Sequence, residues 1–170
     1  LCVKDDAPYV YEENGEAKGM LVSILNDFAE KTGLTVEYTF SKDREDAREL
    51  LASGHYNALI GIPLTSGLCS ELGLINSAPA IESVLAYAQH PTKGSSDPAA
   101  QTIAMVKGLQ EQIPTDGYRA TLLCDNSRAC VEAVESGRAD IAAGSRAALE
   151  YYIYESGSTL VTSLIPGQYQ

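Results

Sequence analysis

The chain has 170 residues, of which 45% are hydrophobic, and its 12 Lys and Arg against 23 Asp and Glu leave a formal charge of −11. That length admits one domain or two small lobes, and the apolar fraction is sufficient for a core. The acidic balance excludes nucleic acid and anionic lipid as natural partners, because both reward Lys and Arg. No apolar run approaches the roughly 18 residues that a spanning helix requires. No signal peptide precedes the strand-like Leu1-Cys2-Val3, as would be expected of an excised or processed segment.

Cys2, Cys69, Cys124 and Cys130 contain no C-x-x-C pair, and His55 and His90 lie far in sequence from Cys124 and Cys130. No zinc site, other metal or cofactor is expected. An even cysteine count permits disulfides and an exported setting without requiring either.

In chain order, Leu1 to Lys4 reads as a short strand broken by Asp5-Asp6-Ala7-Pro8-Tyr9, since Asp is disfavoured in strands and Pro lacks a donor. Val10 to Glu16 reads as an extended segment entering a hairpin turn at Asn14-Gly15. A helix follows Gly19, with Leu21, Ile24, Leu25, Phe28 and Ala29 on its inner face and Gly33 as its stop. Leu34 to Phe40 alternates as a strand. Ser41 is a candidate cap for the next helix, whose inner face is Ala47, Leu50 and Leu51. Asn57 to Ile62 is the next strand, so the order β, α, β, α, β predicts a parallel sheet with crossover helices.

Residues 63–73 form an irregular loop, and Ser83 to Ala88 is a further apolar run. His90 to Pro98 has the composition of a connector. The pattern then restarts with a strand over Thr102 to Val106, Gly108, a short helix and a strand over Ala120 to Leu123. A helix from about Ser127 to Glu135, a strand over Asp140 to Ala143 and a helix from about Arg146 to Tyr154 complete it, with Asp125, Asn126 or Ser127 and then Ser145 as caps. Tyr151, Tyr152 and Tyr154 read as packing residues of the last helix.

One phrase occurs twice. Ser53, Gly54, Asn57 and Gly61 recur at a common offset as Ser136, Gly137, Asp140 and Gly144, each set following a helix-like run. A helix–turn–strand unit used twice predicts two similar lobes with a cleft between them. The expected fold is therefore α/β, with two Rossmann-like lobes, a hinge and a central cleft. The first lobe spans 1–92, a linker 93–100, a smaller second lobe 101–158 and a return segment 159–170. In open α/β sheets ligands sit beyond the carboxyl ends of strands, near helix N-termini. That places Asp5 to Tyr9, Gly61 to Ser66, Gly108 and Gly144-Ser145 around the cleft.

Asp5 to Tyr9 followed by Asn14-Gly15, Gly19 and the 21–33 helix resembles the opening of the type 2 periplasmic binding proteins. These are the extracellular solute-binding protein family 3 and the sensor domains built on the same fold. Leu50 to Ala58 resembles the family's "L..G.yDa" stretch, Asn76 to Pro79 its "FS.PY" segment, and Ala133 to Asp140 its "AV.sGraD" motif. Thr102 to Gly108 resembles the strand and Gly that open the second lobe. The likeness runs in order through nearly the whole chain. It implies a hinged pair of lobes closing on a small solute, with Asp6, Tyr9, Tyr11, Gly61, Pro63, Thr65, Ser66, Gly108 and Ser145 as ligand-binding candidates. Tyr9 and Tyr11 stack on a ligand or cap a lobe edge, Asp6 accepts from a ligand or is a solvated strand-end acid, and Thr65 and Ser66 bind solute or shape their loop.

The departures are specific. Amino-acid binders of the family carry an Arg that forks onto the ligand carboxylate, where Leu68 falls here, and an Asp for the ammonium group, where Gly144-Ser145 falls here. Leu109 and Ala80-Ile81 replace further family positions, and the family's last strand and helix are absent, as in a truncated C-terminal part. The resemblance then implies an extracytoplasmic solute-sensing domain of a membrane signalling protein, either a histidine kinase or a cyclic-dinucleotide enzyme, tethered through its parent chain and open to homodimer formation. The alternatives are the receptor of an ABC importer and, with less support, a dehydratase-type enzyme using Asp5, Asp6 or Glu82. No G-x-S-x-G nucleophile elbow is present, so no enzyme activity is expected. Cys124 at a strand end and Cys130 early in the following helix are candidates for a disulfide.

Overall fold

The computed structural model describes residues 1–42, 44–61, 69–70, 73–92, 97–110 and 112–169, and the side chains of Val3, Arg44, Glu45 and 166–169 lie outside that description. The chain forms two compact units, Leu1–Glu82 and Ser83–Gln170.

In the first unit, β1 (Cys2–Val3) pairs in parallel with β5 (Phe40–Ser41), and Cys2 makes a further parallel bridge to Ile60. Helix α1 (Met20–Thr32) connects the first pair and α2 (Arg44–Ala52) leads to the second, which is the crossover order expected from the sequence. The strands are much shorter than expected. Leu34 to Phe40 is a strand only from Phe40, and Asn57 to Ile62 contributes the single bridge at Ile60 among its described residues. Alternation at Val36, Tyr38 and Phe40 defines two faces, but a strand also needs a neighbour in register, and β1 offers only two residues.

Beside these, β2 (Asp5–Asp6), β3 (Val10–Glu13) and β4 (Glu16–Lys18) form an antiparallel sheet. Asp5 and Asp6 therefore lie in a strand, although Asp is disfavoured there, because they pair with Tyr11 and Val10. The turn between β3 and β4 is Asn14-Gly15, with φ 55° and 83°, as a two-residue hairpin turn with left-handed centres demands.

Helix α1 ends on Gly33 in the left-handed conformation, whose amide donates to Ala29 O. Its buried residues are Val22 and Ala29, while Ile24 is 43% and Phe28 52% exposed. Of the expected inner face Ala29 is buried and Leu21 and Leu25 are half-buried, and the helix is rotated so that Val22 joins Cys2 and Val10 in the core of this unit. Helix α2 faces inward through Ala47 and Leu51 as expected, packed with Leu1. Ser41 does not serve as a helix cap by its side chain: its hydroxyl is buried and donates to Cys2 O at 3.3 Å.

The second unit is a mixed five-stranded sheet in the order β10 (Val161–Tyr169), β6 (Val84–Gln89), β9 (Ile141–Ser145), β7 (Thr102–Val106) and β8 (Ala120–Cys124). Strands β9, β7 and β8 are parallel, and β6 runs antiparallel to β9 and β10. Every residue of β7 and β9 is buried, as the continuous apolar runs TIAMV and IAAGS require of central strands covered on both faces. Helix α3 (Ser127–Glu135) crosses from β8 to β9, and α4 (Arg146–Ser156) follows β9 and packs against α3. The short helix expected after Gly108 is a series of turns in its described residues, with Leu109 and Ile113 buried.

The repeated phrase is one structural device. Gly54 and Gly137 have φ 75° and 72°, and their amides donate to Leu51 O and Val134 O at the ends of α2 and α3. The preceding hydroxyls also match, Ser53 donating to Leu50 O and Ser136 to the equivalent Ala133 O, with a second bond to Glu132 O. The copies diverge at their last glycine, since Gly61 is left-handed with φ 85° and Gly144 lies within β9.

Glu150 ties α4 to β10, because its Oε1 accepts from Arg146 Nε at 2.7 Å and from Thr162 Oγ1 at 2.8 Å. The Arg146 hydrogen bond holds the Glu150 carboxyl below its usual range, against partial burial and with help from Thr162. A depressed folded value contributes stability above the unfolded value, which is lost as the pH falls through the folded one. Glu150→Gln is expected to cost about 0.5 kcal/mol near neutral pH, as partly exposed pairs do. Urea titrations of wild type and variant should converge as the pH is lowered through the Glu150 titration, and a difference that persists at acid pH would refute this role.

Candidate functional site

In the first unit, Asp6, Tyr9 and Tyr11 share one local structure. The turn from β2 to β3 closes with Tyr9 N donating to Asp6 O at 2.9 Å, and all three side chains are half-buried. The chain then docks the start of α1 on this turn. Met20 N donates to Pro8 O and Leu21 N to Tyr9 O, both at 3.0 Å. Two of the amides that a helix N-terminus leaves without intrahelical partners are thus satisfied by the turn's carbonyls. The approach is close enough that a Cβ on Gly19, at φ 116°, would lie 2.4 Å from Tyr9 O. The turn is therefore held by backbone, and its side chains are displayed from a fixed frame.

Gly61 is half-buried and follows the Ile60 bridge. Pro63, Thr65 and Ser66, together with Leu68, lie outside the described residues. The first unit also contains a cavity of about 490 Å³, lined by Leu25, Phe28, Leu34, Tyr38 and Tyr56 among others, and among the described residues none of the expected ligand-binding positions lines it.

In the second unit the parallel strands β8, β7 and β9 end on one side of the sheet. Their carboxyl ends bring Cys124, the Lys107-Gly108 turn and Ser145 to one edge. Ser145 is buried, and its hydroxyl lies 2.9 Å from that of Ser83, at the start of β6. It precedes α4 without capping it through its side chain, contrary to the expected cap. The hydroxyl is directed to Ser83 because the antiparallel register sets Ser145 opposite Leu85, two residues along. Gly108 has φ 93°, and its amide donates to Gln110 Oε1 at 2.6 Å. Asn126 does cap α3, its Oδ1 accepting from Ala129 N at 2.8 Å.

Charge at this edge is paired. Lys107 Nζ lies 2.6 Å from Asp125 Oδ1, and Lys107 N donates to Cys124 O at 2.9 Å. Farther from the edge, Tyr118 is hydrogen-bonded to Tyr87 of β6, and burial together with that bond pushes its hydroxyl up to about 12. Ser83, Gln110 and the Tyr87–Tyr118 pair carried no sequence motif. Cys124 and Cys130 are thiols, as are Cys2 and Cys69. Among the described residues no cluster of His, Cys, Asp and Glu could hold a metal ion, and no helix is long and apolar enough to cross a membrane.

No family model matches the sequence, and no curated protein matches it. Solved structures do. The VFT2 domain of Bordetella pertussis BvgS superposes with a TM-score of 0.82 at 17% identity, over 99% of this chain and 75% of that one. A histidine kinase sensor domain with similarity to periplasmic binding proteins gives 0.80 at 20% identity, over 99% and 80%. The holo arginine-binding protein ArgBP from T. maritima gives 0.77 at 17% identity, over 100% and 80%. The chain thus has the α/β fold of the type 2 periplasmic binding proteins, the fold that the ordered sequence motifs implied. These neighbours are sensor and solute-binding domains rather than enzymes.

Proposed function

We propose that this chain is the extracytoplasmic solute-sensing domain of a membrane signalling protein, tethered through its parent chain and without catalytic activity of its own. Asp6, Tyr9, Tyr11, Gly61, Pro63, Thr65, Ser66, Gly108 and Ser145 are the residues proposed to bind its small-molecule ligand. The output domain in this reading is a histidine kinase or a cyclic-dinucleotide enzyme. The support is the fold, which this chain shares with sensor domains of histidine kinases, combined with the chemistry of the second unit's edge. That edge offers Ser83 and Ser145 hydroxyls where an ammonium-binding carboxylate would be needed. A transporter requires a tight solute site, whereas a sensor works with an altered one.

The ligand class that fits is a neutral polar solute or a peptide. A free α-amino acid needs a partner for each of its charges, and losing one partner of a buried charge costs about 2–5 kcal/mol. The importer receptor is the second reading, favoured by the likeness to the substrate-binding protein of an amino acid ABC transporter. The parent gene separates the two: a membrane span followed by a kinase or cyclase domain supports the sensor, and a lipoprotein signal beside a permease gene supports the receptor.

The test is a thermal-shift screen over sugars, polyols, amides, short peptides and the standard amino acids. A ligand at about 100 times its Kd stabilises the folded protein by about 2.7 kcal/mol. Shifts from a neutral or peptide solute and none from free amino acids are expected. Micromolar affinity for any free α-amino acid would overturn the assignment of ligand class.

A further inference from the structure

Cys124 is the last residue of β8 and Cys130 lies in the first turns of α3, with only the Asp125-Asn126 turn between strand and Ser127, the first helical residue. Asn126 fixes that turn twice, its side chain accepting from Ala129 N at 2.8 Å and its carbonyl from Cys130 N at 3.3 Å. A cap of this kind fixes the first turn of the helix, through to its fourth position. Here that position is Cys130. It is fully buried, Cys124 is 8% exposed, and the Cys130 thiol donates to the Cys124 sulfur, while the Cys124 thiol is directed to Leu122 O at 3.9 Å. Strand β8 is an edge strand, so Cys124 lies at the margin of the sheet, while Cys130 is in the buried part of α3.

We propose that Cys124 and Cys130 form a thiol–disulfide site, with Cys124 as the attacking sulfur and Cys130 as the resolving one, which reacts with low-molecular-weight disulfides of the glutathione type. The surroundings favour this division of roles. The hydrogen bond from Cys130 pulls the Cys124 thiol below its usual value, against burial, with Arg138 and Lys107 assisting and Asp125 opposing. The same hydrogen bond, and then burial, push Cys130 up. The thiolate is the nucleophile in such exchange.

In the first step Cys124 gives its proton to solvent and its thiolate attacks one sulfur of the oxidant. The oxidant's S–S bond breaks, a mixed disulfide forms on Cys124, and one thiolate leaves and takes up a proton. In the second step Cys130 loses its proton and attacks the Cys124 sulfur, expelling the other half as a thiol. Two protein thiols have been oxidised by two electrons, and one disulfide has been reduced to two thiols. The bond would tie the end of β8 to α3 directly below the turn. Because Lys107 N donates to Cys124 O, it would also stiffen the support of the Lys107-Gly108 turn.

The experiment exposes the folded 170-residue chain to oxidised glutathione, alkylates the remaining thiols without reductant and maps the peptides by mass. The expected result is one species that has lost two hydrogens, with a peptide pair linked through Cys124 and Cys130, and with Cys2 and Cys69 not joined to either. In Cys130→Ala and Cys130→Ser the reaction should stop at a single glutathione adduct on Cys124. The proposal is overturned if Cys124 and Cys130 remain alkylatable in the oxidised folded wild type. It is equally overturned if the link forms only in denaturant, or if glutathione accumulates on Cys130 rather than Cys124 in the wild type.

Discussion

Gly19→Ala is expected to destabilise the first unit by about 4 kcal/mol, combining left-handed strain with overpacking against an immovable neighbour. The glycine has φ 116°, and an added Cβ would meet Tyr9 O at 2.4 Å, Tyr9 C at 2.7 Å and Pro8 O at 2.9 Å. All three are backbone atoms, so no side chain can swing aside. Moving them breaks the bonds by which Met20 N and Leu21 N hold the turn, together with the Asp6–Tyr9 closure. The loss should therefore be seen both at the α1 N-terminus and at the Asp6–Tyr11 turn. Hydrogen exchange mapped by peptide is the measurement, with protection falling in 4–32 and little changed in β7 and β9. Unchanged exchange in 4–32 would show that the turn and helix are not locked by this approach.

The second large effect belongs to Tyr152, the largest fully buried side chain among the described residues. Its ring meets Tyr151 edge-on at 5.2 Å, and the Arg128 guanidinium lies over it at 4.7 Å. Arg128 also pairs with Glu155 at 3.0 Å, so one residue of α3 holds α4 by both ring and charge. Tyr152→Ala is expected to cost about 3–5 kcal/mol, as removal of a buried aromatic ring does, with Tyr152→Phe retaining most of it. Urea unfolding followed by circular dichroism, with exchange in α3 and α4 as the local readout, tests this. A cost under about 1 kcal/mol would mean that the helix pair collapses around the gap. Tyr154, two residues on, does not pack as the sequence pattern predicts: it is 89% exposed, so its removal should change little.

These two sites show what kinds of information the sequence held. Local rules carried most of the architecture. Asn14-Gly15 allows only a tight hairpin, the Ser-Gly pairs at 53–54 and 136–137 stop their helices, and Asn126 caps α3. The buried runs of β7 and β9 named the centre of the second sheet. Long-range pairing was less visible. Leu34 to Phe40 has a strand's alternation, yet the ladder is only as long as its β1 partner permits. Helix α1 has apolar residues over more than half its circumference, so periodicity could not choose between Ile24 and Val22 as the inward side.

The candidate site was legible as places rather than partners. Gly108 and Ser145 do come to one edge of the second unit, because both lie at the carboxyl ends of parallel strands that end on the same side. That Ser145 bonds Ser83, 62 positions away, depends on the antiparallel register of β6, which no local pattern encodes. That the Gly108 amide is taken by Gln110 depends on one rotamer.

Titration calorimetry is the decisive test of the proposed solute-binding residues. The best stabilising solute of the thermal-shift screen is titrated into wild type, Asp6→Ala from the first unit and Ser145→Ala from the second. A measurable Kd is expected for wild type and at least about tenfold weaker binding for each variant, equivalent to about 1.4 kcal/mol. Heat from no solute in the panel, or wild-type affinity in either variant, would contradict the proposed roles.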